Sequence, residues 1–113
     1  VCAKAGQTIK FLKDYDFVVT HFNGSDEAAH RYDYTGKADF ITRIDEDFIG
    51  PVLKSVKEPL KILICGDHVT SCVTGKHSAG NVPVIAVAVN CDNNAPIIGG
   101  YHDIHKFLMG ASD

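Results

Sequence analysis

Two pairs of acidic and imidazole side chains, and one further histidine, stand out by their spacing. Asp26-Glu27-Ala28-Ala29-His30 places a carboxylate and an imidazole four residues apart. On a helical turn such residues share one face, so both could grip one divalent ion. The bland alternative is a helix start, where acidic residues favour the dipole. Asp67-His68 follows Gly66 and could converge in a turn, or simply be a polar loop. His77 lies in Lys76-His77-Ser78-Ala79-Gly80, where a solvated loop is the plain reading. Two carboxylates and three histidines can together supply ligands for two divalent ions. Oxygen with imidazole suits Mn, Mg, Co or Zn, and the lack of clustered thiolates disfavours a structural zinc knot. Paired metals about 4 Å apart commonly clamp a phosphoryl group.

The surrounding elements must bring these groups together. Ala3 to Leu12 reads as the end of a helix. Asp16 to Phe22 (DFVVTHF) reads as a buried strand, and Asn23-Gly24-Ser25 as a turn. Ile41, Ile44, Phe48, Ile49, Val52 and Leu53 follow helical periodicity. Gly50-Pro51 interrupts them, predicting a kink or two abutting helices, and Pro59 closes the stretch. Lys61 to Cys65 (KILIC) and Val84 to Val89 (VIAVAV) read as strands. The latter is apolar on both faces, which suits a covered parallel sheet. Between them, residues 66–80 form a long and therefore functional loop. His102 to Met109 reads as a terminal helix. Alternating strands and helices predict an α/β domain with a mostly parallel sheet flanked by helices. Ligands of such sheets sit at the carboxyl ends of strands, and all the singled-out clusters follow strand ends.

Composition narrows the functional class. The 113 residues suffice for one small domain, and 45% hydrophobic with 22% charged residues excludes a disordered chain. No apolar run is long enough to span a membrane. The net charge of −3 disfavours a general nucleic-acid binder. Cys2, Cys65, Cys72 and Cys91 form no C-x-x-C pair, so reduced thiols and an intracellular setting are expected. Cys65 is expected to behave as a small hydrophobe. Cys72, four residues from His68, lacks a third orienting group and is read as loop packing. His102 and His105 are read as a surface helix, and Lys4, Lys10 and Lys13 as a solvated helix face. No signal peptide is visible at Val1.

Three motifs in order carry a resemblance. D-E-A-A-H-R-Y-D (Asp26 to Asp33), G-D-H-V-T-S-C (Gly66 to Cys72) and K-H-S-A-G-N-V-P-V (Lys76 to Val84) resemble the C-terminal part of the cofactor-independent phosphoglycerate mutases. The likeness is greatest to the archaeal-type branch, within the alkaline phosphatase superfamily. It covers nearly the whole chain. Residues 1–113 would then be the C-terminal portion of a metal-binding, alkaline phosphatase-like domain.

The resemblance implies interconversion of 3-phosphoglycerate and 2-phosphoglycerate through a phosphoserine, with two divalent metals, Mn2+ foremost. Asp26, His30 and His77 would bind one metal, and Asp67 and His68 would contribute to the other. Apart from the resemblance, Lys76 reads either as a phosphate contact or as a solvated loop lysine. The nucleophilic serine, a further aspartate and the substrate-clamping domain would lie upstream of Val1, so no catalytic nucleophile is assigned here. Thr70 and Ser71 are not assigned, because the family places its nucleophile elsewhere. Gly80-Asn81 departs from the Asp-Pro usual in the archaeal pattern, which loosens the loop beside His77. The isolated chain is expected to be inactive, to need its missing N-terminal half, and to expose a sheet edge. A cytoplasmic enzyme of phosphoglycerate is implied, with neither nucleic acid nor membrane as partner. Two alternatives stay open: another superfamily phosphatase or phosphodiesterase, and a non-catalytic metal-binding remnant.

Overall fold

The computed structural model describes residues 1–91 and 99–109. The elements run α1 (Cys2–Asp14), α2 (Gly24–His30), α3 (Tyr34–Ile44), a π-helical turn (Asp45–Ile49), α4 (Gly50–Ser55), β1 (Leu60–Cys65), β2 (Val69–Thr70), β3 (His77–Ser78), β4 (Val84–Val89) and α5 (Tyr101–Met109). The chain divides into two compact units, Val1–Lys57 with Thr70–Ser78, and Glu58–Val69 with Ala79–Asp113. Among the described residues, no helix is long and apolar enough to cross a membrane.

The first unit is helical and holds the buried core. Ala5 of α1, Ala28 and Ala29 of α2, Phe48 of the π-helical turn, Val52 of α4 and Val56 are its buried apolar residues. Phe48 meets Phe22 edge-to-face at 5.0 Å between ring centroids, and Phe22 meets Phe40 at 6.4 Å. Such arrangements satisfy the ring quadrupoles. Alanines on the buried side of α2 let that short helix approach closely, and the opposite side carries Asp26 and His30.

The interruption foreseen at Gly50-Pro51 is present in an unexpected form. Proline has no N–H, and its ring crowds the carbonyl four residues back. The chain responds with one wider π-helical turn immediately before Gly50, and the helical path continues into α4. The residues at Ile44, Phe48 and Val52 thereby stay on one path. Asp33 caps α3, its Oδ1 accepting from the Gly36 N–H at 2.9 Å.

Two local expectations differ from the structure. Residues 16–22 form no regular strand and join no ladder among the described residues. β-branched residues favour extended backbone, yet a strand needs a neighbour to accept its hydrogen bonds. Thr20 shares a 2.8 Å hydroxyl contact with Thr8 of α1, and Lys4 Nζ donates to the His21 carbonyl. Phe17 and Val19 are exposed rather than buried. Asn23-Gly24-Ser25 opens α2 instead of forming a free turn. The Asn23 carbonyl accepts from the Glu27 N–H at 3.0 Å, and its Nδ2 donates to Glu27 Oε1 at 3.2 Å.

The second unit is built on β1 and β4. They pair antiparallel from Leu60↔Val89 to Cys65↔Val84. Parallel neighbours require a crossover, usually a helix, and residues 66–83 contain none. The α/β class holds, and this particular pair is antiparallel. Ile64, Val84 and Ile85 are exposed, and so is Cys65, which was expected to be an inner hydrophobe. All four cysteines are free thiols. Helix α5 is held to β1 where Lys61 Nζ donates to the Phe107 carbonyl at 2.9 Å.

At the start of α5, the Gly99 N–H donates to Asp103 Oδ2 at 2.9 Å. This bond, helped by His102 beside the carboxylate, holds the Asp103 carboxyl below its usual value of 3.8. A depressed folded value means the interaction is present above the usual carboxylate range and is lost as pH falls through the folded value. We expect the protection of the Gly99 amide, relative to its intrinsic exchange rate, to fall as pH is lowered through that window. In Asp103→Asn the amide should lose this pH step beyond the intrinsic exchange profile.

Candidate metal centre

Asp26 is the pivot of the helical unit's polar cluster. Its Oδ2 lies 3.3 Å from His30 Nε2, one helical turn along α2. Its Oδ1 lies 3.4 Å from His77 Nε2, contributed by β3. The two imidazole rings stand 5.2 Å apart and tilted by 31°. One carboxylate therefore lies between two imidazoles, as the i, i+4 spacing and the loop histidine suggested. His30 and His77 are exposed at their rims while Asp26 is half-buried.

The carboxylate is itself held. Thr70 is buried, and its hydroxyl donates to Asp26 Oδ1 at 2.5 Å. The Thr70 carbonyl in turn accepts from Lys37 Nζ at 2.9 Å. His30 Nδ1 lies 2.7 Å from the Gly75 carbonyl. Metal-binding histidines generally use their second nitrogen in this way. Thr70 and Gly75 were not singled out in the sequence as positioning groups. The hydroxyl of Thr70 was visible beside Asp67-His68, but its direction was not. A backbone carbonyl leaves no trace in residue type at all.

Ser71 has a different task. Its Oγ accepts from the N–H groups of Val73 and Thr74 at 3.1 and 3.3 Å, closing the turn that leads to β3. Lys76 is exposed immediately before His77.

Asp67 and His68 belong to the other unit. Asp67 Oδ1 lies 3.6 Å from His68 Nε2, with the aspartate mostly exposed. The Tyr101 hydroxyl reaches the carbonyls of Gly66 and Asp67, 3.0 Å from each, and so fixes the backbone that carries the pair. His102 makes a 3.3 Å contact with Asp103 on the surface of α5.

Carboxylate oxygen and two imidazole nitrogens are a donor set for a borderline or hard divalent cation, and no thiolate intrudes. The residues present thus fit a metal. The sequence pattern of the metalloenzyme superfamily matches residues 2–108. The chain belongs to the metalloenzyme superfamily. Its fold is accordingly alkaline phosphatase-like. Among curated relatives of this superfamily chain, the 2,3-bisphosphoglycerate-independent phosphoglycerate mutase of Thermococcus kodakarensis is 42% identical over 86 residues, which is 75% of this chain and 21% of the relative. The mutase of Pyrococcus horikoshii is 43% identical over 84 residues, 74% of this chain and 20% of the relative. A solved structure of a Pyrococcus horikoshii protein is 41% identical, with a TM-score of 0.71 over 75% of this chain and 26% of its own. The chain thus spans about a fifth of the length of the curated mutases it matches.

Proposed function

We propose that this chain is the metal-binding C-terminal portion of a 2,3-bisphosphoglycerate-independent phosphoglycerate mutase. The single observation that carries the reading is Asp26 lying between His30 and His77, at 3.3 and 3.4 Å. Asp26, His30 and His77 hold one divalent ion, and Asp67 and His68 contribute to a second. Mn2+ is the proposed ion, with Mg2+, Co2+ and Zn2+ as the competitors a titration must rank. When bound, such ions neutralise charge on a transferring phosphoryl group and lower the pKa of its nucleophile. Thr70 keeps the Asp26 carboxylate pointed into the site. Lys76, exposed beside His77, contacts the substrate phosphate. The nucleophile comes from outside this chain, so the chain alone is inactive. The setting is cytoplasmic.

The exposed apolar residues support the same reading. Phe17 and Val19, and Ile64, Val84 and Ile85 of the two strands, are large apolar side chains left exposed. The remaining length of the parent enzyme covers them.

A chimera tests the activity. This chain is grafted in place of the matching fifth of the Thermococcus kodakarensis mutase. With Mn2+ it should convert 3-phosphoglycerate to 2-phosphoglycerate, and Asp26→Ala in the chimera should remove that activity. A folded, Mn2+-binding chimera that hydrolyses an aryl phosphate but does not isomerise phosphoglycerate would give the phosphatase reading instead.

A further inference from the structure

We propose that the backbone carbonyl of Gly75 is a positioning group that selects which nitrogen of His30 faces the metal. The inference rests on the metal reading above and adds to it a residue with no ligating side chain.

The argument begins with hydrogen-bond roles. A carbonyl oxygen only accepts, so the 2.7 Å contact with Gly75 requires the proton of His30 to reside on Nδ1. In the neutral ring Nε2, 3.3 Å from Asp26 Oδ2, then carries the lone pair that a metal needs. Two electron-rich atoms at that separation repel unless a proton or a metal ion lies between them, and a bound metal takes the place of that proton. The Gly75 contact therefore prepares His30 as an Nε2 ligand and disfavours the opposite tautomer.

The position of that carbonyl depends on glycine. Gly75 has φ +69°, in the left-handed region. A Cβ there would lie 2.8 to 3.1 Å from Cζ, Cε1 and Oη of Tyr32. Tyr32 is itself fixed in the left-handed region, at φ 60°. It closes α2, while the Asp33 N–H reaches back to the Ala28 carbonyl at 2.9 Å. On the other side, the Gly75 N–H donates to the Ser71 carbonyl at 2.8 Å. The turn is thus braced at both ends. A side chain at residue 75 must push Tyr32 aside or move the carbonyl away from His30.

The test reads the tautomer directly. Long-range proton–nitrogen spectra of the 15N-labelled chain are recorded with Zn2+, a diamagnetic probe, and His30→Gln identifies the His30 signals. The proposal expects a protonated Nδ1 and a metal-shifted Nε2. A His30 that binds Zn2+ through Nδ1, with its proton on Nε2, overturns it.

Calorimetry with Mn2+ supplies the second arm. Gly75→Ala should weaken binding by roughly 10–100-fold, the usual range for loss of an outer-shell partner. Unchanged affinity and tautomer in a folded Gly75→Ala overturn the proposal and leave the metal site standing. A folded wild-type chain that binds neither ion overturns both. Should Gly75→Ala fail to fold, the wild-type tautomer decides alone. A purely structural role for Gly75 would lower the unfolding midpoint without altering the His30 nitrogen signals.

Discussion

Asp26→Ala is expected to remove Mn2+ binding by the helical unit altogether within the range of calorimetry. The reason is that one carboxylate lies 3.3 Å from one imidazole and 3.4 Å from the other. Losing it deletes the only anionic donor of the set and the acceptor of the Thr70 hydroxyl. Loss of an outer-shell partner costs roughly 10–100-fold in affinity, and loss of this ligand should exceed that. Asp26→Asn sharpens the test. It keeps the shape and one oxygen acceptor but removes the negative charge that pairs with a cation. Binding should remain severely weakened in Asp26→Asn. Near-normal affinity in that variant would mean that the histidines bind by themselves and that Asp26 serves the fold. A thermal melt of each variant separates these cases, because the ligand role predicts a folded chain with an empty site.

The second large effect concerns the core. Phe48 is buried in the π-helical turn and stands 5.0 Å from Phe22. Phe48→Ala should cost about 3–5 kcal/mol, the range for deleting a buried aromatic ring. Small domains have total stabilities of about 5–15 kcal/mol, so the helical unit should be substantially unfolded by mild urea. Phe48→Leu, which retains much of the volume, should cost clearly less. Equal urea midpoints for wild type and Phe48→Ala would show that the ring does not support the fold. Because α2 packs in the same unit, metal binding should fail in Phe48→Ala through unfolding. That distinguishes it from Asp26→Ala, which fails while folded.

The candidate site was partly legible in the sequence for physical reasons. Asp26 and His30 share a helix face because four residues make about one turn, and the structure places them 3.3 Å apart. His77 could be placed near them only through motif order, since loop spacing fixes no distance. Lys37 and Thr70 were invisible as partners because their contact spans 33 residues of chain. Local expectations departed from the structure where tertiary neighbours decide. Residues 16–22 have strand composition, but no described neighbour completes a ladder. Apolar character on both faces of Val84–Val89 led to the expectation of a covered parallel sheet, yet direction is set by the connection. The helix-free path from Cys65 to Val84 returns the chain antiparallel. The break at Pro51 was read correctly from the missing N–H, whereas its π-helical solution depends on how neighbouring turns absorb it.

Pulsed electron paramagnetic resonance of the Mn2+-loaded chain tests the central claim most directly. Nitrogen modulation reports imidazoles bound to the ion. The account predicts coupling to two histidine nitrogens in the His68→Ala background, which removes the other unit's imidazole. One coupling should disappear in His30→Ala and the other in His77→Ala. Mn2+ bound tightly with no nitrogen coupling, or with coupling unchanged in both variants, would contradict the assignment of Asp26, His30 and His77 as one metal site.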